Sequence, residues 1–372
     1  MSDRAYNFAA GPGTLPLPVL ERVRREIVSI RSIGASPLEV SHRGPWFRDV
    51  IGEAEANLRA LVPVPDTHSV VFCQGGATTQ FSMAPMNLLR GSDRSAAYLL
   101  TGSWGRKAVA EARKEGEVLV AWDGADDDYR RVPDGSEYTV PEDVAYLHFT
   151  SNETIQGVEW RAEPPAEPDV PLVCDASSDF LSRPLDLSRY GLLYAGAQKN
   201  AGPAGVTVAI VRDDVLDRVP DGLPTMLDYR TYVRSGSLHN TPPVFAIWVL
   251  MLVTRWLRET VGGLDRQLAT NREKARMVYR AIDDSGGFYR GHADPASRSL
   301  MNVTFRLPDP DLDALFVQDA AAAGMIELRG HRSVGGIRAS LYNAMPIEGA
   351  QALVGFMGAF AAANRSVARA SG

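Results

Sequence analysis

Cysteine is scarce in this chain, with only Cys73 and Cys174. Two residues cannot build a disulfide framework or a cysteine-based zinc site. Each closes an apolar run, which suits a buried free thiol. Long apolar runs are missing too. The longest, Val244–Val253, falls far short of the roughly 20 residues a membrane-spanning helix needs. Met1 to Ala10 has no apolar stretch of the kind a secretory signal carries, so a cytoplasmic protein is expected. There is no Lys/Arg run, and the formal net charge is -6, which argues against nucleic acid as a partner. An anionic substrate would therefore have to be gathered by a local arginine cluster, against the overall field. Histidine is sparse, and none of the six shows metal-ligand spacing.

What is present is alternation. Strand-length apolar runs occur at Ser69–Cys73, Ala96–Leu100, Val118–Trp122, Val144–Phe149, Leu172–Cys174, Leu192–Ala195 and Val206–Val211. They are apolar on nearly every residue, as a mostly parallel sheet covered on both faces requires. Helical patterns lie between them, most clearly at Ala77–Leu89 and Trp104–Glu115. This predicts a doubly wound α/β domain, whose ligands bind beyond the C-terminal ends of the strands. Pro242-Pro243 opens a long apolar helix running to about Thr260, and Gly262-Gly263 closes it. A second long helix, a strand, the helix Asp311–Ala323, short strands and a last helix from about Ile347 to Ala363 predict a smaller α+β domain. The expected division is a large domain over 16–262 and a small one from 1–15 and 263–372.

The informative chemistry lies at strand ends. One apolar run closes on Asp175, and the next closes on Gly196-Ala197-Gln198-Lys199-Asn200. A lysine can form a Schiff base with an aldehyde, and an aspartate can keep a pyridine nitrogen protonated, which together suggest pyridoxal phosphate chemistry. Gly75-Gly76-Ala77-Thr78 follows a strand and opens a helix; it reads as a phosphate cradle or as an ordinary tight turn. Trp104 reads as a stacking face or as a core residue, and Thr154 as a ring contact or as a turn cap. Two His-Arg pairs stand beside glycine, His42-Arg43 and His331-Arg332, and Arg338 follows Gly335-Gly336-Ile337. Each pair could grip an anion or be solvated surface charge.

In these blocks, together with Asn7-Phe8-Ala9-Ala10-Gly11-Pro12, Asn152-Glu153-Thr154-Ile155 and Asn240-Thr241-Pro242-Pro243, the chain resembles the phosphoserine aminotransferase family, class-V aminotransferases of fold-type I. The resemblance implies that Lys199 binds the cofactor covalently and moves the proton, and that Asp175 faces the pyridine nitrogen. It also implies that Trp104 stacks on the ring and that Thr154 meets the 3-hydroxyl. Gly76, Ala77 and Gln198 would hold the cofactor phosphate, with Asn240 and Thr241 reaching it across a homodimer. Arg338 would take the substrate α-carboxylate. His331 and Arg332, with His42 and Arg43 from across the interface, would take the substrate phosphate. The implied reaction passes an amino group between O-phospho-L-serine and 2-oxoglutarate, with 4-phosphohydroxy-L-threonine of pyridoxine synthesis as a second candidate substrate. Many members carry Gly-Arg or Gly-Cys where this chain has Ala77-Thr78, so one charge near that phosphate is expected to be missing. Among rival readings, a cysteine desulfurase needs a mobile cysteine, and alanine–glyoxylate transfer leaves the His-Arg pairs without a task. A binding module leaves Lys199 and Asp175 without one.

Overall fold

The structure is a computed structural model that describes residues 4–370, with side chains described to residue 365. Seven strands form its main sheet: β1 (His68–Cys73), β2 (Ala96–Leu100), β3 (Val118–Asp123), β4 (Tyr146–Thr150), β5 (Leu172–Asp175), β6 (Tyr190–Gly196) and β7 (Thr207–Arg212). Their order is β1-β7-β6-β5-β4-β2-β3. All pairings are parallel except those of β7, which runs antiparallel to both neighbours. Alternate residues feed two cores, as the two-residue period of a strand demands. Val70, Phe72, Leu147, Cys174 and Leu193 face one, and Val71, Cys73, Tyr146, Val173 and Tyr194 face the other.

Helices cover both faces. The first two are α1 (Leu17–Glu26) and α2 (Pro45–Leu61). Helix α2 buries Phe47, Val50, Ile51, Ala54, Leu58 and Leu61, a spacing of three and four that puts all six on one stripe. It packs on α5 (Val244–Trp256), whose residues from Ala246 to Thr254 are all buried. On the other face lie α3 (Gly76–Leu88) and α4 (Ser103–Ala112), each starting just beyond a strand's C-terminal end. A third core gathers Phe8 with residues of α6 (Leu264–Asp283), α7 (Pro310–Ala322) and α8 (Ile347–Ala370). These helices pack on a three-stranded antiparallel sheet made of Arg290–Gly291, β8 (Asn302–Arg306) and β9 (Ile337–Ser340).

Three details differ from the sequence reading. Strand β3 is not buried on both faces: it forms the sheet edge and is partly exposed along its length. The helix after Pro243 is α-helical only to Trp256, and one π turn, Leu257–Val261, carries it to Gly262. The last helix runs seven residues past Ala363, to Ala370. Among the described residues, no helix is long and apolar enough to cross a membrane.

One buried charge in the third core bears on the site. Lys274 of α6 is fully buried, and its Nζ donates to the carbonyls of Leu341, Tyr342 and Met345 at 2.9, 2.8 and 3.1 Å. Three acceptors match the three donors of an ammonium group. The clamp fixes the turn after β9, and with it Asn343, whose N–H donates to Asn200 Oδ1 at 2.9 Å. Asn200 adjoins Lys199, so the third core is tied to the lysine's neighbour through that main-chain N–H and the Asn200 side-chain amide.

Candidate active site

The ends of β5 and β6 set the two charged groups side by side. Asp175 is the last residue of β5, paired with Tyr194, and its carboxylate is buried. Its Oδ1 accepts from the Ser177 N–H at 3.0 Å. Burial raises its pKa, while the nearby Lys199 ammonium and the Ser177 hydrogen bonds pull it down. Lys199 lies three residues past β6. Its Nζ donates to Thr154 Oγ1 at 2.7 Å and sits 5.5 Å from the centre of the Trp104 ring. Desolvation brings its pKa down to about 8; the charges of Asp175 and Glu153 oppose this, and Arg338 adds to it. The structure therefore gathers Thr154, Asp175, Trp104 and Arg338 around the Lys199 amine as one cluster.

Two helix N-termini open beside the cluster, and only one is free for an anion. Helix α3 begins at Gly75 and Gly76, both at positive φ (91° and 66°), and no side chain caps it. Glycine is the residue that takes this conformation without strain. The turn leaves the N–H groups of Gly76 and Ala77 pointing outward, a ready anion site. Helix α4 is closed: the Trp104 and Gly105 N–H groups donate to Glu153 Oε2 and Oε1 at 2.9 and 2.8 Å. Gln198 immediately precedes Lys199, and its carbonyl accepts from Gly13 N–H at 2.7 Å.

The N-terminal segment covers this floor. Tyr6–Asn7 pairs in parallel with Met325–Ile326 of the third core, and the chain then crosses to Lys199. A Cβ on Gly13 would lie 2.7 Å from the Tyr342 ring and 3.0 Å from the Lys199 carbonyl, so the approach is too close for any side chain. Tyr342 Oη donates to the Ala10 carbonyl at 2.7 Å and holds the segment from the other side.

A cleft of about 460 Å³ leads outward, lined among others by Ser103, Arg106, Arg306, His331 and Arg338. Arg332 does not line it; it lies exposed in a separate groove with Arg306 and Arg329. His42 and Arg43 are on the loop before α2, and neither lines the cleft with His331 and Arg338. His42 Nε2 is buried without a hydrogen-bond partner. Asn240 and Thr241 are exposed, and the Thr241 carbonyl accepts from Gln74 Nε2 at 3.2 Å. Sequence reasoning assigned no task to Glu153, Lys274 or Tyr342. Glu153 sat inside a noted block, and Lys274 shares the buried face of α6 with Ala275, Val278 and Ile282, a charge among apolar neighbours that signals burial.

The family model for class-V aminotransferases matches residues 5–353. The chain is 54% identical to a phosphoserine aminotransferase of Rhodopirellula baltica over 97% of its own length and 96% of the relative's. It is 51% identical to that of Geobacillus kaustophilus, over 96% and 98%. Its fold matches the solved phosphoserine aminotransferase of Bacillus circulans subsp. alkalophilus with a TM-score of 0.95 at 50% identity, over 98% of this chain and 100% of that one. A second match is the structure of PLP-bound phosphoserine aminotransferase from Trichomonas vaginalis, with a TM-score of 0.90 at 40% identity, over 95% and 100%.

The chain belongs to the class-V aminotransferases, pyridoxal-phosphate enzymes of fold-type I. Within that family, its relatives of about half-identical sequence are the phosphoserine aminotransferases. The site suits the cofactor on its own terms. It offers an amine of lowered basicity, a buried carboxylate and an indole face around that amine, and an uncapped helix N-terminus at the C-terminal edge of the same sheet.

Proposed function

We propose that the chain carries out reversible amino transfer between O-phospho-L-serine and 2-oxoglutarate, giving 3-phosphohydroxypyruvate and L-glutamate, the amination step of serine formation. The observation that carries this reading is the Lys199 amine, held by Thr154 beside buried Asp175, with Arg338 lining the cleft close enough for its charge to act on that amine. Near-complete alignment with phosphoserine aminotransferases supports the substrate assignment.

When bound, pyridoxal 5'-phosphate supplies an aldehyde to receive the amino group and a ring to draw electrons from the substrate's α-carbon. Lys199 provides the amine that anchors it and then moves the α-proton. Asp175 keeps a proton on the ring nitrogen, Trp104 covers one face, and Thr154 bonds the ring hydroxyl. Gly76, Ala77 and Gln198 hold the phosphate, joined by Asn240 and Thr241 of the partner subunit. Arg338 orients the substrate by its α-carboxylate. His331, with the partner subunit's His42 and the partner subunit's Arg43, takes the substrate's distal anion, while Arg332 faces the neighbouring groove. This last site serves a phosphate and a γ-carboxylate in turn, which donors on separate side chains can regroup to do.

A homodimer is supported by apolar side chains that a single chain leaves open, Val28 at 81% and Leu38 at 66% exposure, near the His42 loop. Buried, unpaired Cys73 and Cys174 support a cytoplasmic setting.

The test is a paired assay with phosphoserine and serine as amino donors, following the visible spectrum of the cofactor. Conversion with phosphoserine and almost none with serine is expected; equal rates would overturn the substrate assignment. Lys199 also sets a pH dependence. With its pKa near 8, only its free-amine fraction attacks an aldehyde, so cofactor uptake by cofactor-free protein should quicken about tenfold per pH unit below 8 and level off above. Stopped-flow absorbance measures this, and a rate flat from pH 6 to about 9 would contradict it.

A further inference from the structure

Helix α4 has no cap of its own. Gly102 at its N-cap bears no side chain, yet the first three N–H groups of the helix are all satisfied. The Ser103 N–H donates to Gln156 Oε1 at 3.2 Å, and Gln156 Nε2 returns a bond to Ser103 Oγ at 2.8 Å. The Trp104 and Gly105 N–H groups take one Glu153 carboxylate oxygen each. The glycine makes room for this: a Cβ at Gly102 would lie 2.5 Å from Glu153 Cδ and 2.7 Å from Gln156 Oε1. Glu153 is fully buried, and the ionisable groups facing it are Lys199 and Asp175.

We infer that Glu153 is a positioning residue: one carboxylate, reaching across 49 residues of sequence, caps α4 and so fixes Trp104, while its neighbour Thr154 fixes Lys199. The inference rests on the proposed function, since Trp104 and Lys199 matter only if a flat aldehyde cofactor lies between them. The cap needs the ionised form. A carboxylate offers an acceptor to each N–H, whereas an amide offers one oxygen and turns an NH2 against the other N–H. The negative charge also lies close enough to raise the basicity of Lys199. Burial pushes the Glu153 carboxyl up to about 7, the two N–H bonds working against it, so the charge is in place above neutral pH.

The experiment compares holoenzymes of wild type, Glu153→Gln, Glu153→Asp and Gly102→Ala. It reads the cofactor dissociation constant and the pH midpoint of the visible absorbance, titrated above neutral pH. Glu153→Gln should weaken cofactor binding about tenfold and lower the midpoint by about one unit, because one negative charge is gone. Glu153→Asp keeps the charge but falls short of the helix, so binding weakens while the midpoint stays near wild type. A midpoint and affinity unchanged in Glu153→Gln would overturn the inference. Should that variant fail to fold, Gly102→Ala decides: its new methyl pushes the intact carboxylate off the helix, and wild-type affinity there would refute the cap. A wild type with no visible band sinks the aminotransferase reading itself and this inference with it.

Discussion

Lys199→Ala is expected to lose amino transfer almost completely, with turnover down by about 10⁴-fold. The residue performs two tasks that no neighbour can take over. It supplies the anchoring amine, and it moves a proton at the substrate's α-carbon. Thr154 is a hydroxyl and Arg338 a permanent cation; neither has a free amine near neutral pH. Lys199→Arg separates charge from chemistry. It restores a positive group beside Asp175 yet cannot be deprotonated, so it should be as inactive as alanine. Steady-state assay of both variants measures the loss. Borohydride reduction and peptide mapping should place the adduct on Lys199 in the wild type; an adduct elsewhere, or Lys199→Arg retaining a tenth of the activity, would remove Lys199 from the centre of the mechanism.

Asp175→Asn should also cripple the enzyme, and without unfolding it. Leaving a buried charge without its partner costs roughly 3–5 kcal/mol, and about 1.4 kcal/mol is tenfold in rate, so a loss of some hundreds- to thousands-fold is expected. Stability should move the other way. Burial holds the Asp175 pKa above its ordinary value, so for this acid the folded pKa exceeds the unfolded one. The unfolded chain gives up its proton first, and the contribution to stability falls as pH rises from near 4 through the folded pKa. At neutral pH the carboxylate is therefore a burden to the fold, and asparagine, of the same shape, removes it. Thermal denaturation of the cofactor-free protein should show an equal or higher midpoint for the variant. A large drop would make Asp175 a structural residue. A functional group maintained against the interest of the fold is a familiar trade at active sites.

Much of this arrangement was legible in the sequence, for definable reasons. Six of the seven strands are buried on both faces and so appear as unbroken apolar runs, and the chemistry sits where those runs stop, at Asp175 and before Lys199. The antiparallel direction of β7 was not legible, since parallel and antiparallel buried strands look alike in composition. Helix α2 lies outside the strand-and-helix alternation but is legible by its own spacing: Phe47, Val50, Ile51, Ala54, Leu58 and Leu61 keep helical intervals after Gly44-Pro45. Glu153 could not be found this way, because its partners are main-chain N–H groups far along the chain. Nor could the separation of Arg332 from His331 be foreseen, as adjacent residues on an irregular loop can point to opposite sides.

The crossing N-terminal segment has a practical consequence. Strand Tyr6–Asn7 is moored to one core while Gly11 and Gly13 pack against the side-chain stem and the carbonyl of Lys199 in another part of the molecule, so one wall beside the reactive residue comes from nearly two hundred positions upstream. A protease that clips the first dozen residues, or a bulky fusion that drags on them, would strip that wall from chemistry encoded mid-chain while leaving the seven-stranded scaffold whole.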